Sequence, residues 1–298
     1  MKRLIVTADD FGAAREVNDA VEAAHRGGIL TAASLMVAAP AAADAVARAR
    51  RLPSLRVGLH VVLVDGRPLL PAAAVPDLVD ADGRFRGNLT ALGTVIACSR
   101  AARSQAAAEI SAQFAAFRDS GLTLDHCNAH KHFHLHPVVG KLLISIGRRF
   151  GLRAVRLPLE PVQLLRRVEP RTPAIPAVLS VPFALALRRR LVAAGLVAAA
   201  RAFGIQWSGQ MTRERLAGLI RNLPPGLTEI YLHPATGSYP RAAPGYRYRE
   251  ELEALIAPEV ATACRESALR LGGFGDFGEP GTTSVQNASH AHDVPHRV

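Results

Sequence analysis

Two adjacent carboxylates end the first apolar run of the sequence. The run Leu4-Ile5-Val6 is followed within a few residues by Asp9 and Asp10. Two like charges side by side repel, and a buried carboxylate is costly unless a positive group lies against it. A divalent cation would stabilise both, because one aspartate can bind it while its neighbour accepts a proton. A helix N-cap is the alternative, since Asp is a common capping residue and a helical pattern follows.

Histidines recur where other apolar runs end. His60 lies within VGLHVVL, His233 precedes a proline in EIYLHPATG, and four more alternate along HKHFHLH at 130–136. Those four would share one face of an extended segment, whereas in a helix His130 and His134 would share a face. Four ligands from one short run cannot all reach one ion, so we expect one or two to bind and the others to orient them. A histidine-rich polar loop is the alternative.

These residue types predict a metal-dependent hydrolase. Two imidazoles and a carboxylate form a common site for a divalent cation that keeps open positions for water and substrate. Water on such an ion is acidified toward neutrality and can attack an amide or ester carbonyl. A histidine on the far side, such as His233, can protonate the leaving group. No G-x-S-x-G elbow offers a serine nucleophile instead.

Short β-like runs alternate with helical patterns, which predicts parallel strands joined by helices. The strands are predicted at 3–9, 32–37, 57–63, 123–128, 154–157, 229–233 and 269–274, and the helices at 13–26, 41–51, 105–120, 137–150 and parts of 250–267. About seven parallel strands predict an irregular α/β barrel, with an open doubly wound sheet as the alternative. Function collects at the carboxyl ends of such strands, where Asp276 also stands in GGFGDFG.

Composition narrows the class of protein. The 298 residues are 49% hydrophobic, which predicts one α/β barrel domain at 1–278, with a long apolar insertion at about 159–209 and a disordered tail at 279–298. Three scattered cysteines and an apolar start too short for a signal peptide predict a cytoplasmic protein. The net charge of +11 comes with 5% aromatic residues and no interleaved basic and aromatic run, which argues against nucleic acid as a partner.

Four ordered motifs resemble those of the YdjC-like carbohydrate deacetylases. They are TADDFG near the N-terminus, the GLH that ends at His60, the histidine run at 130–136 and the LHP around His233, and they extend from residue 1 to about 277. The form NAHKHFHLHP, the WSGQMT stretch from Trp207 and the apolar insertion are most similar to the hopanoid-biosynthesis-associated HpnK branch.

The resemblance implies an irregular α/β barrel that removes acetyl from an N-acetylated sugar with one divalent metal ion. The metal would be held by Asp10, His60 and His130. Asp9 would be the general base and His233 the general acid. The family is often described with Mg²⁺, whereas imidazole ligands favour Zn²⁺, so both ions stay open.

Other residues are implied to contact substrate or to support the metal ligands. Arg156, in AVRLP, would contact substrate or steady the oxyanion, with a surface salt bridge as the alternative. His132 and His134 would lie behind the ligands, and Asp276 is a further candidate. Many relatives have an acidic residue where this chain has Asn128, which leaves open whether Asp125 takes its place.

The branch implies an N-acetylglucosaminyl hopanoid as substrate. The apolar insertion would suit a triterpenoid tail, and a basic rim would favour an anionic membrane surface, which predicts peripheral association with the inner membrane. A second copy of the chain is a further candidate partner. The alternatives are a deacetylase of soluble chitooligosaccharide-type sugars, a phosphoesterase with the same metal ligands, and a non-catalytic membrane-associated binding protein.

Overall fold

Strands and helices alternate along the chain. The computed structural model describes residues 1–173 and 175–278, so the tail predicted at 279–298 lies outside the described residues. In this part of the chain the strands are Lys2–Phe11 (β1), Ala32–Leu35 (β2), Arg56–Val61 (β3), Cys127–Ala129 (β4), Arg201–Phe203 (β5), Gly226–Leu232 (β6) and Leu269–Leu271 (β7). The α-helices are Arg15–Gly27 (α1), Ala42–Arg50 (α2), Leu89–Cys98 (α3), Arg100–Asp119 (α4), Pro137–Arg149 (α5), Val162–Val168 (α6), Ile175–Ala193 (α7), Arg213–Asn222 (α8), Tyr248–Ile256 (α9), Pro258–Glu266 (α10) and Phe274–Phe277 (α11). Two 3₁₀ turns lie at Ala72–Ala74 and His130–Leu135.

All strand pairs in the sheet are parallel. The order is β4-β3-β2-β1-β6-β5, and β7 pairs only with the start of β1. The sheet curls into a half-barrel. Between its end strands β4 and β5 the described residues form only single bridges, at Cys127–Val155 and Ala154–Val197, where a closed barrel would have continuous ladders. The predicted α/β class is therefore confirmed, whereas the barrel is incomplete.

β1 lies in the middle of the sheet because its sequence is apolar on both faces. Leu4, Ile5 and Val6 are fully buried, as expected for a strand covered on both sides. Helix α1 supports one side through Val17, Val21 and Ala24, which are spaced by three or four residues and are buried. This packing fixes β1, and therefore the two aspartates that end it.

The structure does not show the long apolar insertion predicted at 159–209, because this region is part of the domain and contributes a strand to the sheet. β5 joins the sheet beside β6, and the Glu160 carboxylate accepts hydrogen bonds from the N–H groups of Gly204, Ile205 and Gln206. The strand went unpredicted because three residues in an alanine-rich stretch carry little β propensity. Within the described residues, no helix combines the length and the apolar character needed to cross a bilayer.

Candidate active site

Polar side chains from distant parts of the sequence meet at the carboxyl ends of the parallel strands. Asp9 and Asp10 immediately precede the last residue of β1, His60 is the penultimate residue of β3, and His130 follows β4 directly. His233 follows β6 in the same way. Parallel strands present their carboxyl ends at one edge of a sheet, so the topology alone places these four strand ends together.

Asp10, His60 and His130 form a compact triangle of potential ligand atoms. The Oδ1 atom of Asp10 lies 3.3 Å from Nε2 of His60 and 3.2 Å from Nδ1 of His130, and those two nitrogens are 3.3 Å apart. These are the three residues that, in the described part of the chain, are grouped closely enough to hold a metal ion. Ligands at about 2.0–2.2 Å from one ion lie roughly 3–3.5 Å apart, so the triangle has the size that a divalent cation requires.

The polar atoms of the triangle also fit a cation chemically. Asp10 Oδ1 is buried and has no hydrogen-bond partner. Burial disfavours charge on both Asp10 and His130, yet each stabilises the charged form of the other, which lowers the pKa of Asp10 well below its ordinary value and raises that of His130. A divalent cation between these three atoms would stabilise the Asp10 carboxylate and accept the lone pairs of both imidazoles.

Asn128 orients the ring of His60. The Nδ1–H of His60 donates to Oδ1 of Asn128 at 2.7 Å, which leaves the Nε2 lone pair directed at the triangle. The amide nitrogen of Asn128 donates to Asp9 Oδ1 at 3.1 Å and to the Ser34 hydroxyl at 3.0 Å. An amide serves here because it can accept from the imidazole and donate to the carboxylate at once, which an ionised aspartate cannot do.

A break in β1 lets both aspartates face the site. The pairing of β1 with β2 shifts register between Ala8 and Phe11, and Asp10 has a left-handed φ of 62°. Successive residues of a regular strand point to opposite faces, so the irregularity is what brings neighbouring carboxylates to one cavity. The Asn18 side chain accepts the N–H of Gly12, and Ala13 N–H donates to the Asp10 carbonyl, which fixes this turn.

Arg156 holds Asp9 rather than reaching the substrate. Its guanidinium is fully buried and donates to both oxygens of Asp9, at 2.5 and 2.9 Å, and to Oε1 of Glu229 at 2.9 and 3.0 Å. The guanidinium also lies 4.2 Å from the ring centroid of Tyr231. Because the Arg156 side chain has no exposed surface, it does not contact a substrate in this conformation. Its salt bridges are buried, so the alternative of a salt bridge at the protein surface is also wrong.

Asp9 is ionised in this environment. Burial alone would raise the pKa of Asp9, but the Arg156 guanidinium, with His60 and the hydrogen bonds from Arg156, holds it far below its ordinary value. An ionised carboxylate beside the triangle can accept a proton but cannot donate one.

His233 lies within the electrostatic reach of both aspartates. Burial lowers the pKa of His233, while Asp10 and Asp9 favour its protonated form. Its ring contacts Tyr246 with the centroids 5.1 Å apart, and its Nδ1 has no hydrogen-bond partner. The imidazole is therefore neutral near pH 7 and has a free nitrogen for proton transfer.

Glu251 fixes the backbone at His233. This fully buried carboxylate accepts the N–H of His233 at 2.5 Å through Oε2 and the N–H of Met211 at 2.9 Å through Oε1. Burial raises the pKa of Glu251 to about 7, although both N–H groups stabilise its charged form. Nothing in the sequence distinguishes this glutamate from the other polar positions of α9, so sequence reasoning missed it.

His132 and His134, two of the remaining histidines of the 130–136 run, face inward behind the ligand. Nε2 of His132 lies 2.7 Å from the Tyr231 hydroxyl, and Nε2 of His134 donates to the Arg156 carbonyl at 3.1 Å. Lys131 and His132 have left-handed φ values of 50° and 54°, a conformation that is costly for non-glycine residues and persists where the surroundings enforce it. The backbone changes direction at these two residues, so the run at 130–136 is neither a continuous extended segment nor a regular α-helix.

The structure does not bring Asp276 into this cluster. Its carboxylate pairs with Arg56 at the start of β3 and accepts the Gly273 N–H at 2.8 Å. β7 pairs only with Lys2–Leu4, so it ends near the amino end of β1. Asp125 lies at this same end, bound to His126 and to backbone N–H groups of α11, and it does not take the place that Asn128 occupies.

The fold and the site define an α/β protein with an Asp-His-His cluster suited to a divalent cation at the carboxyl edge of its strands. The sequence profile of the family described as YdjC-like protein matches residues 3–266, and the chain belongs to this family.

Curated relatives agree with that membership, and one solved structure shares the fold. The chain is 32% identical to a carbohydrate deacetylase of Geobacillus stearothermophilus over 92% of this chain and 97% of that one. It is 36% identical to a carbohydrate deacetylase of Brevibacillus brevis over 52% of this chain and 59% of that one. A crystal structure from Enterococcus faecalis, described as a candidate cellobiose-phosphate cleavage protein, superposes with a TM-score of 0.72 at 22% identity, covering 93% of this chain and 99% of that one. This last likeness concerns the fold.

Proposed function

We propose that the protein is a metal-dependent N-deacetylase that hydrolyses the acetamide of an N-acetylglucosaminyl hopanoid. The triangle of Asp10, His60 and His130 carries this proposal, since its spacing and its unpartnered carboxylate oxygen suit one divalent ion. Zn²⁺ and Mg²⁺ are the candidates, and two imidazole ligands favour Zn²⁺.

The broader class rests on the relatives. The chain is a carbohydrate N-deacetylase, because it belongs to the YdjC-like family and aligns along nearly the whole Geobacillus stearothermophilus carbohydrate deacetylase at 32% identity. The hopanoid, the metal and the roles of individual residues are the proposed part.

A proton acceptor and a proton donor stand beside the triangle. A divalent ion bound by the three ligands would acidify a water and polarise the amide carbonyl. Asp9 is kept ionised by Arg156, so it is ready to take a proton from the attacking water. The low pKa that keeps Asp9 ionised also makes it a weak base. It can therefore take a proton only from a water that the metal ion would have made more acidic.

His233 is assigned to the leaving amine. An amide nitrogen departs only when it is protonated. Burial keeps the His233 ring neutral before the reaction, so the proton lost by the attacking water would pass to its unpartnered Nδ1, with the charges of Asp10 and Asp9 favouring that form, and from there to the amine. Glu251 holds the backbone at this position through the His233 N–H, so the ring is presented from a fixed strand end.

A lipid-linked sugar is supported by the surface next to the site. Helix α7 contacts the 3₁₀ turn His130–Leu135, which carries a proposed metal ligand, and α7 exposes several large apolar side chains. A triterpenoid tail needs such a surface, whereas a soluble chitooligosaccharide does not.

Acetate release tests the reaction and the substrate together. The full chain would be incubated with N-acetylglucosaminyl hopanoid in detergent and with chitobiose, each with and without a chelator. We expect acetate from the lipid-linked sugar at the higher kcat/KM, loss of release on chelation, and recovery on adding Zn²⁺ or Mg²⁺.

A matched pair of variants separates chemistry from folding. Asp9→Asn removes the proposed base and should abolish acetate release, whereas Asp82→Asn changes an exposed aspartate and should leave it intact. Release that survives full chelation, or an active Asp9→Asn variant, would contradict the mechanism. Equal kcat/KM on both sugars would contradict the hopanoid substrate and favour the soluble one.

A further inference from the structure

Helix α7 is apolar on its exposed face as well as on its buried face. Among the residues that the structure describes, ten large apolar side chains are exposed, and six of them belong to this helix: Ile175, Val178, Leu179, Phe183, Leu185 and Val192. Leu179 is 67% exposed and Phe183 is 50% exposed. A helix that is apolar all round is normally covered on all sides.

The core does not need this exposed face. Ala177, Ala184, Leu187 and Leu191 point the other way and are buried, and through them α7 packs on α5 and on the turn at His130–Leu135. Arg190 donates to the Pro137 carbonyl at 2.7 Å, which fixes the C-terminal end of α7 against α5. The helix is therefore anchored on one side and uncovered on the other.

The charges around the exposed face of α7 indicate which kind of partner would bind it. Helix α7 has no acidic residue, and it carries Arg188, Arg189 and Arg190 near its C-terminal end. Residues 161–201 contain seven arginines and one acid, Glu169. An apolar face bordered by arginine is typical of helices that lie in the interface of an anionic bilayer. A second copy of the chain fits less well, because it also carries +11 and α7 offers no acid to pair with the partner's arginines.

We propose that the exposed face of α7 docks on an anionic phospholipid bilayer. The proposal rests on the proposed function for its purpose, since a docked α7 would hold the turn of His130 close to the lipid surface where a lipid-linked sugar lies. Its test does not depend on that function, because binding to vesicles needs no substrate.

Vesicle binding of the full chain tests the docking. The probes are vesicles of phosphatidylcholine alone and of phosphatidylcholine with phosphatidylglycerol, separated by flotation. We expect binding to the anionic vesicles, and we expect it to weaken as salt is raised from about 50 mM to about 500 mM because surface charges are then screened.

Two matched double variants locate the contact. Leu179→Gln/Phe183→Gln should weaken binding at least about tenfold, because each inserted side chain contributes on the order of 1.5–3 kcal/mol when fully buried. The control Ile256→Gln/Leu271→Gln changes two comparably apolar side chains, 41% and 37% exposed, on other elements and should bind like the wild type. All four sites are exposed, so both variants should fold.

Several outcomes would overturn the docking. These are no binding to anionic vesicles, equal binding by the α7 variant, or a dimer in sedimentation that the α7 variant dissociates while no vesicles bind. Acetate release from chitobiose is measured in parallel. Vesicle binding without acetate release would retain the docking and refute the proposed function instead.

Discussion

Replacing Arg156 by methionine should destabilise the protein strongly and in a pH-dependent way. Methionine has a similar length and no charge, so the change removes the cation with little change in packing. Four hydrogen bonds to Asp9 and Glu229 would be lost, and two carboxylates would be left together in a fully buried place. Breaking a buried ion pair from one side costs about 3–5 kcal/mol.

The pH dependence of this loss has a definite sign. In the wild type the pKa of Asp9 is lowered by folding, so its stabilising contribution is present above its ordinary value of 3.8 and is lost as the pH falls through the folded value. In the variant, burial without a cation raises the pKa of Asp9, so a cost is present at high pH and disappears as the proton binds. The difference between the two proteins should therefore shrink as the pH falls from about 7 to about 5.

Urea titrations of both proteins at several pH values measure this. With an m-value of about 3 kcal/mol/M, the midpoint of the variant should lie about 1–1.7 M lower near pH 7. The double variant Arg156→Met/Glu229→Gln removes one of the unpaired charges and should recover part of the loss. A difference below about 1 kcal/mol, or one that does not change with pH, would refute the view that Arg156 holds Asp9 ionised.

Three further predictions follow from the contacts around the site. Asn128→Ala should weaken Zn²⁺ binding about 10–100-fold in calorimetric titrations, because the ring of His60 loses its orienting acceptor, and unchanged affinity would count against this role. Folding raises the pKa of Glu251 from 4.5 to about 7, so the free energy of unfolding should fall by ~3 kcal/mol as the pH rises through that window. Glu251→Gln should remove this pH dependence from urea titrations, and a variant with the same pH dependence would contradict the prediction. Zn²⁺ at about 100 times its Kd should stabilise the wild type by ~2.7 kcal/mol and raise its Tm, whereas the Tm of His60→Ala should not rise comparably. Equal Tm shifts in both proteins would show that the ion binds elsewhere.

The strand ends could be predicted because apolar runs and the residues after them are local features. Asp9 and Asp10 follow a run that is apolar on both faces, and His60 lies in another such run. Parallel topology then brings the ends together, whichever helices intervene. The same motifs predicted membership in the YdjC-like family, which the profile match and the relatives confirm, while the HpnK branch stays a prediction.

Other features depend on contacts between residues far apart in sequence. Arg156 pairs with Asp9 across 147 residues and with Glu229 across 73, and no local pattern shows that its surroundings are buried carboxylates. Asp276 was placed at the site because it follows a strand-like run, but β7 is too short to extend to that edge.

Helix α3 shows how tertiary packing overrides propensity. Its sequence LTALGTVIAC contains a glycine and β-branched residues, which favour a helix weakly. The Asn88 side chain caps it by accepting the Ala91 N–H, and Leu92 and Ile96 are buried against the core. The packing partners that stabilise this helix are not visible in the sequence.

Anomalous diffraction from crystals grown with Zn²⁺ tests the central claim most directly. We expect one strong peak at about 2.0–2.2 Å from Asp10, Nε2 of His60 and Nδ1 of His130. A crystal of acetate-releasing protein that shows no peak at this triangle, or one bound by other residues, would contradict the account.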